Sequence, residues 1–195
     1  MEVDDQVKSL PTTVSIAFYH RSNEPRPSND PRTPRSYHTA IVVSAGSPAA
    51  DVDVYQIDNP GDAFQLRHRT AQGTGHAGRC LIDQVEPNFV GCVVIGTTAD
   101  LSVKELGEFI LEYDSGPHDA MDWRMPGRQW NGVGWVMMII HDLNENDFLQ
   151  PKIPVDRDAL FIRLFAAASA MQDGLQGEVK NGVRLITLSE VLKQR

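Results

Sequence analysis

Residues 37–44, with the sequence YHTAIVVS, decide how the rest of this chain is interpreted. Apolar residues run without a break from Ala40 to Val43, and most of them are β-branched. A short apolar run of this composition is typical of a buried strand rather than of an exposed segment. We therefore predict a buried strand over residues 37–44.

Other strands are predicted on both sides of this segment from apolar–polar alternation and from short apolar runs. They cover residues 13–21, 52–57, 64–70, 79–85 and 90–98. The pair Asn181-Gly182 predicts a hairpin between residues 178–180 and 183–187. Because the connections are short, we expect the sheet to be antiparallel.

Helices are predicted from capping residues that precede apolar residues at helical spacing. Ser102 and Glu105 match a capping box ahead of a helix that extends to Tyr113. Asn131 is predicted to cap a helix that runs to about residue 144 and is apolar on nearly all sides, which indicates burial. Asp156 precedes another helix, to about residue 171, and Ser189 is the expected cap of a short terminal helix.

These elements predict one α+β domain over residues 13–195, after a flexible tail at residues 1–12. An antiparallel sheet of about six strands packs with a buried helix and flanking helices. A chain of 195 residues with 41% hydrophobic content is long enough for one substantial core. Two polar, proline-containing segments, residues 22–36 and 114–129, are predicted to be loops of the length that often covers a binding site.

Charge and apolar patterning argue against two classes of partner. The net charge is −8 and no dense block of lysine or arginine occurs, which disfavours nucleic-acid binding. Apolar runs fall far short of the roughly 20 residues that span a bilayer. The acidic start of the chain is unlike a secretory signal peptide, so we predict a cytoplasmic protein with no membrane contact.

Cysteine and histidine usage predicts neither a metal nor another cofactor. Cys80 and Cys92 both lie in strand-like apolar runs and are expected to be buried free thiols. No Cys/His cluster has the spacing of a zinc site. One histidine and two carboxylates on the second long loop, His118, Asp119 and Asp122, form only a weak metal-ligand set.

Three short motifs together carry a resemblance to a known family: FYHR at residues 18–21, SYHTAIVV at 36–43 and QWNGVGWV at 129–136. They resemble a group of small proteins of unknown function found mostly in filamentous fungi. The layout is similar to a circularly permuted papain-like fold, as in NlpC/P60 and lecithin:retinol acyltransferase relatives. The resemblance covers about residues 14–149 and implies a histidine-bearing strand that precedes a helix opening with Asn-Cys.

The resemblance implies roles for individual residues. His38 matches the family histidine, Gln56 stands where a second strand carries an orienting polar residue, and Asn131 matches the family asparagine. Trp130 and Trp135 match the flanking tryptophans.

Gly132, however, stands where the family keeps its cysteine nucleophile. Without a thiolate no acyl-enzyme can form, and neighbouring residues supply no serine or threonine in its place. Cys80 and Cys92 each lie in their own predicted strand, away from the helix start.

The remaining groups suggest an enzyme without a covalent nucleophile. His38 would move a proton, while the helix start at Asn131 and Gly132 would stabilise charge on a carbonyl or enolate oxygen. Such a site suits isomerisation, cyclisation or elimination on a small carbonyl compound, and the resemblance suggests fungal secondary metabolism. The side chains expected to bind the ligand beside Gly132 are Tyr19, Tyr37, Trp123, Trp130 and Trp135.

Other hypotheses remain open from the sequence. The chain could be a catalytically dead module that binds a small molecule or a protein, or a residual hydrolase using water activated by His38. At the residue level, His38 could be a structural strand histidine and Gly132 a packing glycine. The tryptophans could equally be core or loop anchors.

Overall fold

The computed structural model describes residues 10–20, 37–58, 65–69, 82, 88–113, 132–154 and 156–193. In these residues the strands are β1 (Thr12–His20), β2 (Tyr37–Ala45), β3 (Val52–Asp58), β4 (Gln65–Arg69), β5 (Phe89–Thr98), β6 (Glu178–Lys180) and β7 (Val183–Thr187). The helices are α1 (Val103–Leu111), α2 (Gly132–Glu145), α3 (Arg157–Gln172) and α4 (Leu188–Lys193). The prediction of an α+β chain is therefore confirmed.

The described strands form one mixed sheet with the order β4-β3-β2-β1-β5-β7-β6. It has seven strands rather than about six, and β5 and β7 pair in parallel, so the prediction of an antiparallel sheet is confirmed for most of the sheet and wrong for that pair. The long connection through α1, α2 and α3 brings the chain back beside β5 in the same direction, which short connections do not allow. The remaining neighbours are antiparallel.

The centre of the sheet is the β1–β2 pair. It is antiparallel along its whole length, from Thr12 opposite Ala45 to His20 opposite Tyr37. Nearly every residue of both strands is buried, which confirms the prediction for residues 37–44. β1 begins at Thr12, inside the predicted tail, because Thr12 continues the ladder with β2.

Successive residues of these strands contact different cores because side chains alternate between the two faces of a sheet. On one face Ile16, Phe18 and Ile41 belong to an apolar cluster that also contains residues of all four helices. On the other face Ala17, Tyr19, Ala40, Val42 and Val54 belong to a second apolar cluster. This alternation determines which residues can approach His38.

Local signals located the helices well. Ser102 and Glu105 form the predicted capping box of α1, and the Asp156 carboxylate accepts a hydrogen bond from the Ala159 amide at the start of α3. The apolar run of α2, residues 135–140, is buried throughout. No described helix is long and apolar enough to cross a membrane.

The cap of α4 is the exception. The Thr187 hydroxyl accepts a hydrogen bond from the Glu190 amide, and the Glu190 carboxylate accepts one from the Thr187 amide at 2.7 Å. These two reciprocal hydrogen bonds form a capping box at the start of α4. Thr187 is therefore the N-cap residue, and the prediction that Ser189 caps this helix is wrong. The hairpin at Asn181-Gly182 is confirmed, with positive φ angles of 50° and 83° that suit a type I′ turn.

Several predictions lie outside the described residues. They are the loops at 22–36 and 114–129 and most of the strand at 79–85. Ile82 is the described residue of that last segment, and it is buried outside any of the seven strands.

Candidate functional site

His38 is the second residue of β2 and is held directly opposite Tyr19 of β1. The two rings lie 6.3 Å apart between centroids, on the same face of the sheet. The Tyr19 hydroxyl donates a hydrogen bond to the Ile82 carbonyl oxygen at 3.2 Å, which holds the ring in place. Only 6% of His38 is exposed, so its imidazole is enclosed by the protein.

The ladder between β2 and β3 ends close to His38. β2 and β3 pair over residues 41–44 and 52–55, and both strands continue beyond that ladder. The extensions carry His38 on β2 and Gln56 on β3. Both residues are buried, and the alternation of side chains places them on the same face.

The first residue of α2 reaches this region. A Cβ atom built on Gly132 would lie 3.4 Å from the Ile57 carbonyl oxygen, 3.7 Å from His38 Cε1 and 3.8 Å from His38 Nδ1. Gly132 therefore lies next to both extensions, and the structure brings it beside the imidazole. A side chain at position 132 would start in van der Waals contact with His38.

The structure does not bring Tyr37 to this site. Its hydroxyl donates to Gln172 Oε1 at 2.9 Å, and its ring packs edge-on against Phe18 and Phe165. Tyr37 precedes His38 in the strand and so faces the helices, while His38 faces the opposite side. Tyr19 shares the face of His38 and Tyr37 does not, so the geometry does not favour the ligand contact that stays a prediction for Tyr37.

Trp135 lies in the core. It is fully buried within the apolar cluster between α2 and the sheet. One turn into a helix that is covered on most sides, a side chain of this size fills the core. Binding of a ligand by Trp135 stays a prediction, and its burial does not favour it.

The other predicted residues Trp123, Trp130 and Asn131 lie outside the described residues, as do His118, Asp119, Asp122 and Cys80. Within the described ranges, no group of three histidine, cysteine or acidic side chains is arranged to hold a metal ion.

Cys92 is not placed to act as a nucleophile. It is fully buried in β5, and this desolvation raises the pKa of its thiol to about 12. A thiol with such a pKa is almost entirely protonated at neutral pH and reacts poorly, because the thiolate is the nucleophile.

Sequence reasoning missed one contributor, the main-chain carbonyl of Ile57. A backbone oxygen has no residue signature, so neither composition nor spacing could reveal it. The only available signal was the glycine at position 132, which lets another chain segment approach closely.

Comparisons with protein-family models, with curated proteins and with solved structures give no match. The described geometry defines an α+β protein in which a strand histidine meets the first residue of a buried helix.

Proposed function

We propose that this chain is an enzyme without a covalent nucleophile that uses His38 as general acid and base on a small carbonyl compound. The observation that supports the proposal is the contact between the Gly132 position and the His38 ring. A buried imidazole beside the start of a helix combines a proton carrier with a positive electrostatic end.

The reaction begins with removal of a proton from the carbon next to the carbonyl group, with His38 as the base. Negative charge then develops on the carbonyl oxygen, which the N-terminal end of α2 stabilises through its partial positive charge, equivalent to about half an elementary charge. If the proton returns to another atom of the enolate, the reaction is an isomerisation. If a leaving group departs from the next carbon, it is an elimination, and if the enolate attacks a second carbonyl of the same molecule, it is a cyclisation.

Neighbouring residues take supporting roles in this proposal. Tyr19 is a positioning residue, since it lies opposite His38 and is anchored through the Ile82 carbonyl. Gln56 shares the face of His38 and would orient the ring, and Asn131 would act at the helix start. Trp123 and Trp130 keep their proposed place as ligand contacts.

We also propose that the arrangement is a permuted papain-like fold that has lost its nucleophile. Support comes from the chain order, in which the histidine strand β2 precedes α2, and from the contact of Gly132 with His38. A setting in fungal secondary metabolism rests on the sequence resemblance. A cytoplasmic location is supported by the expectation that Cys80 and Cys92 are free thiols, which a reducing compartment keeps unpaired.

The test is deuterium exchange next to a carbonyl. A panel of small ketones, keto acids and hydroxy ketones is incubated with the protein in D₂O, and loss of the α-proton signals is followed by ¹H NMR. We expect exchange above the buffer rate for at least one compound, and a fall of about 100-fold or more in His38→Ala, in line with general acid–base contributions. Exchange that persists in a folded His38→Ala variant contradicts the proposed role.

His20→Ala is the matched control for this experiment. His20 belongs to the adjacent strand β1, but it lies opposite Tyr37 and faces the other side of the sheet. Its removal should leave the exchange rate close to that of the unmodified protein.

A binding module is the second candidate, and the strong burial of His38 together with the absence of a nucleophile at Gly132 favours it. In that case a compound from the panel should broaden or shift protein signals in a saturable way. No exchange or product should follow even after prolonged incubation.

A further inference from the structure

Among the described residues, none requires a glycine at position 132. Its backbone is helical, and the described neighbours of an added Cβ would be at ordinary van der Waals distances, the shortest of them 3.4 Å. Replacing glycine by alanine at a position whose backbone alanine can adopt generally stabilises a protein. The packing of the described residues therefore favours a side chain here, yet the chain has none.

Two described groups border the position that a side chain at residue 132 would occupy. One side is the Ile57 carbonyl oxygen, and the other is the edge of the His38 ring formed by Cε1 and Nδ1. Both residues are buried, and so is Gly132. A carbonyl oxygen accepts hydrogen bonds and repels another acceptor, so a polar ligand atom in this space must carry a hydrogen.

We propose that Gly132 is a specificity-determining residue that reserves this space for an N–H or O–H group adjacent to the ligand's carbonyl. The donor bonds to the Ile57 carbonyl oxygen, after a shift of a few tenths of an ångström from the Cβ position to hydrogen-bonding distance. The neighbouring carbon then lies beside the His38 ring. The ligand class is accordingly α-hydroxy and α-amino carbonyl compounds, in which the carbon that bears the donor also carries the proton that His38 removes. This inference rests on the proposed function, from which it takes the carbonyl group.

The test compares hydroxyacetone with methoxyacetone, which differ in the hydrogen-bond donor and carry the same ketone. The unmodified protein should exchange the α-protons of hydroxyacetone faster, by about tenfold or more after correction for the buffer rates, which corresponds to one hydrogen bond of ordinary strength. This ratio is measured without any variant, so a folding defect cannot obscure it.

Gly132→Ala should then abolish the discrimination, because the added methyl group fills the space. Its thermal midpoint should be equal to or above that of the unmodified protein, which separates loss of the subsite from loss of the fold. His141→Ala, an exposed substitution on the same helix, is the control and should preserve the ratio.

The outcomes separate the two proposals. His38-dependent exchange with equal rates for the two ketones overturns the donor subsite and leaves the proposed function standing. Retention of the full ratio in Gly132→Ala also overturns the subsite. Absence of His38-dependent exchange for every compound overturns the proposed function and this inference together.

Discussion

Two helices of this protein each contain a buried glycine, and the two glycines serve different ends. In α1, a Cβ on Gly107 would overlap the hydroxyl oxygen of Tyr55, so this glycine is required by the core. In α2, the contacts that a Cβ on Gly132 would make with described residues are ordinary ones, to Ile57 and His38. The comparison teaches that two buried helical glycines can differ in what surrounds them: described packing excludes a side chain at Gly107 and leaves room for one at Gly132.

Tyr55, the residue that contacts Gly107, has a structural role in the core. Tyr55 is buried and stacks on His68 with ring centroids 4.2 Å apart. Burial raises the pKa of the Tyr55 hydroxyl, with the negative charge of Asp53 adding to the effect. A phenol that stays protonated in a tight contact acts as a core residue, not as a proton carrier.

The largest expected effect comes from introducing a cysteine at position 132. In a Cys80→Ser background, Gly132→Cys places the sulfur against the His38 ring, and a nearby imidazolium and helix start lower the pKa of such a thiol. We expect alkylation by iodoacetamide at neutral pH about tenfold or more faster than for an ordinary exposed cysteine. The rate is measured by mass spectrometry.

Cys92 serves as an internal control for that experiment, since it is buried and should remain unmodified while the protein is folded. Adding His38→Ala to the same background should return the introduced thiol to ordinary reactivity. Reactivity that is unaffected by His38→Ala would show that the imidazole does not act on position 132.

The next largest effect is a difference in unfolding free energy between alanine variants of the two glycines. Gly107→Ala should lower the free energy of unfolding by about 1–3 kcal/mol through overpacking against Tyr55. Gly132→Ala should raise it by about 0.4–1 kcal/mol, because the less flexible unfolded chain loses less entropy on folding. Urea unfolding at fixed pH measures both values.

A double variant sharpens the result at Gly107. Tyr55→Phe removes the hydroxyl that the new methyl group meets, so Gly107→Ala should cost less in that background. Equal costs in the two backgrounds would place the strain elsewhere.

A smaller effect is expected from Cys92 at alkaline pH. Its thiol has a pKa of about 12 in the folded protein and about 8.5 when unfolded, so the unfolded state ionises first as the pH rises. The contribution to stability is complete below about pH 8.5 and is lost as the pH rises toward 12, with a slope of at most about 1.4 kcal/mol per pH unit. Cys92→Ala should flatten the decline in unfolding free energy between about pH 8.5 and 10, whatever its effect at neutral pH.

The smallest effects concern helix starts. Ser102→Ala removes the capping box of α1 and should cost about 1 kcal/mol. Thr187→Ala should cost a similar amount at α4, whereas Ser189→Ala should be close to neutral, because Thr187 is the cap. Equal losses for Thr187→Ala and Ser189→Ala in urea unfolding would contradict this assignment.

Much of the fold could be predicted from local patterns. The capping box at Ser102, the cap at Asp156 and the hairpin at Asn181-Gly182 all depend on residues within one turn of each other, and all were correct. The parallel pairing of β5 with β7 could not be predicted in this way, because it depends on where three intervening helices return the chain.

The candidate site could likewise be predicted only in part from local patterns. The sequence indicated His38 and Gly132 as residues of interest, but it could not tell that Tyr19 faces the ring while Tyr37 faces the helices. Which face a strand residue occupies depends on which side of the sheet the helices cover, and both tyrosines fit their strands equally well.

By itself, the sequence determined the helices, the central strands and the absence of a cysteine at position 132, since propensity, capping and residue identity are local properties. The tertiary structure alone decided that Gly132 meets His38 and the Ile57 carbonyl, that Trp135 belongs to the core and that Gly107 accommodates Tyr55. These are contacts between segments distant in the chain. Their free energy depends on the packing of the whole sheet against α1 and α2, which no short stretch of sequence encodes.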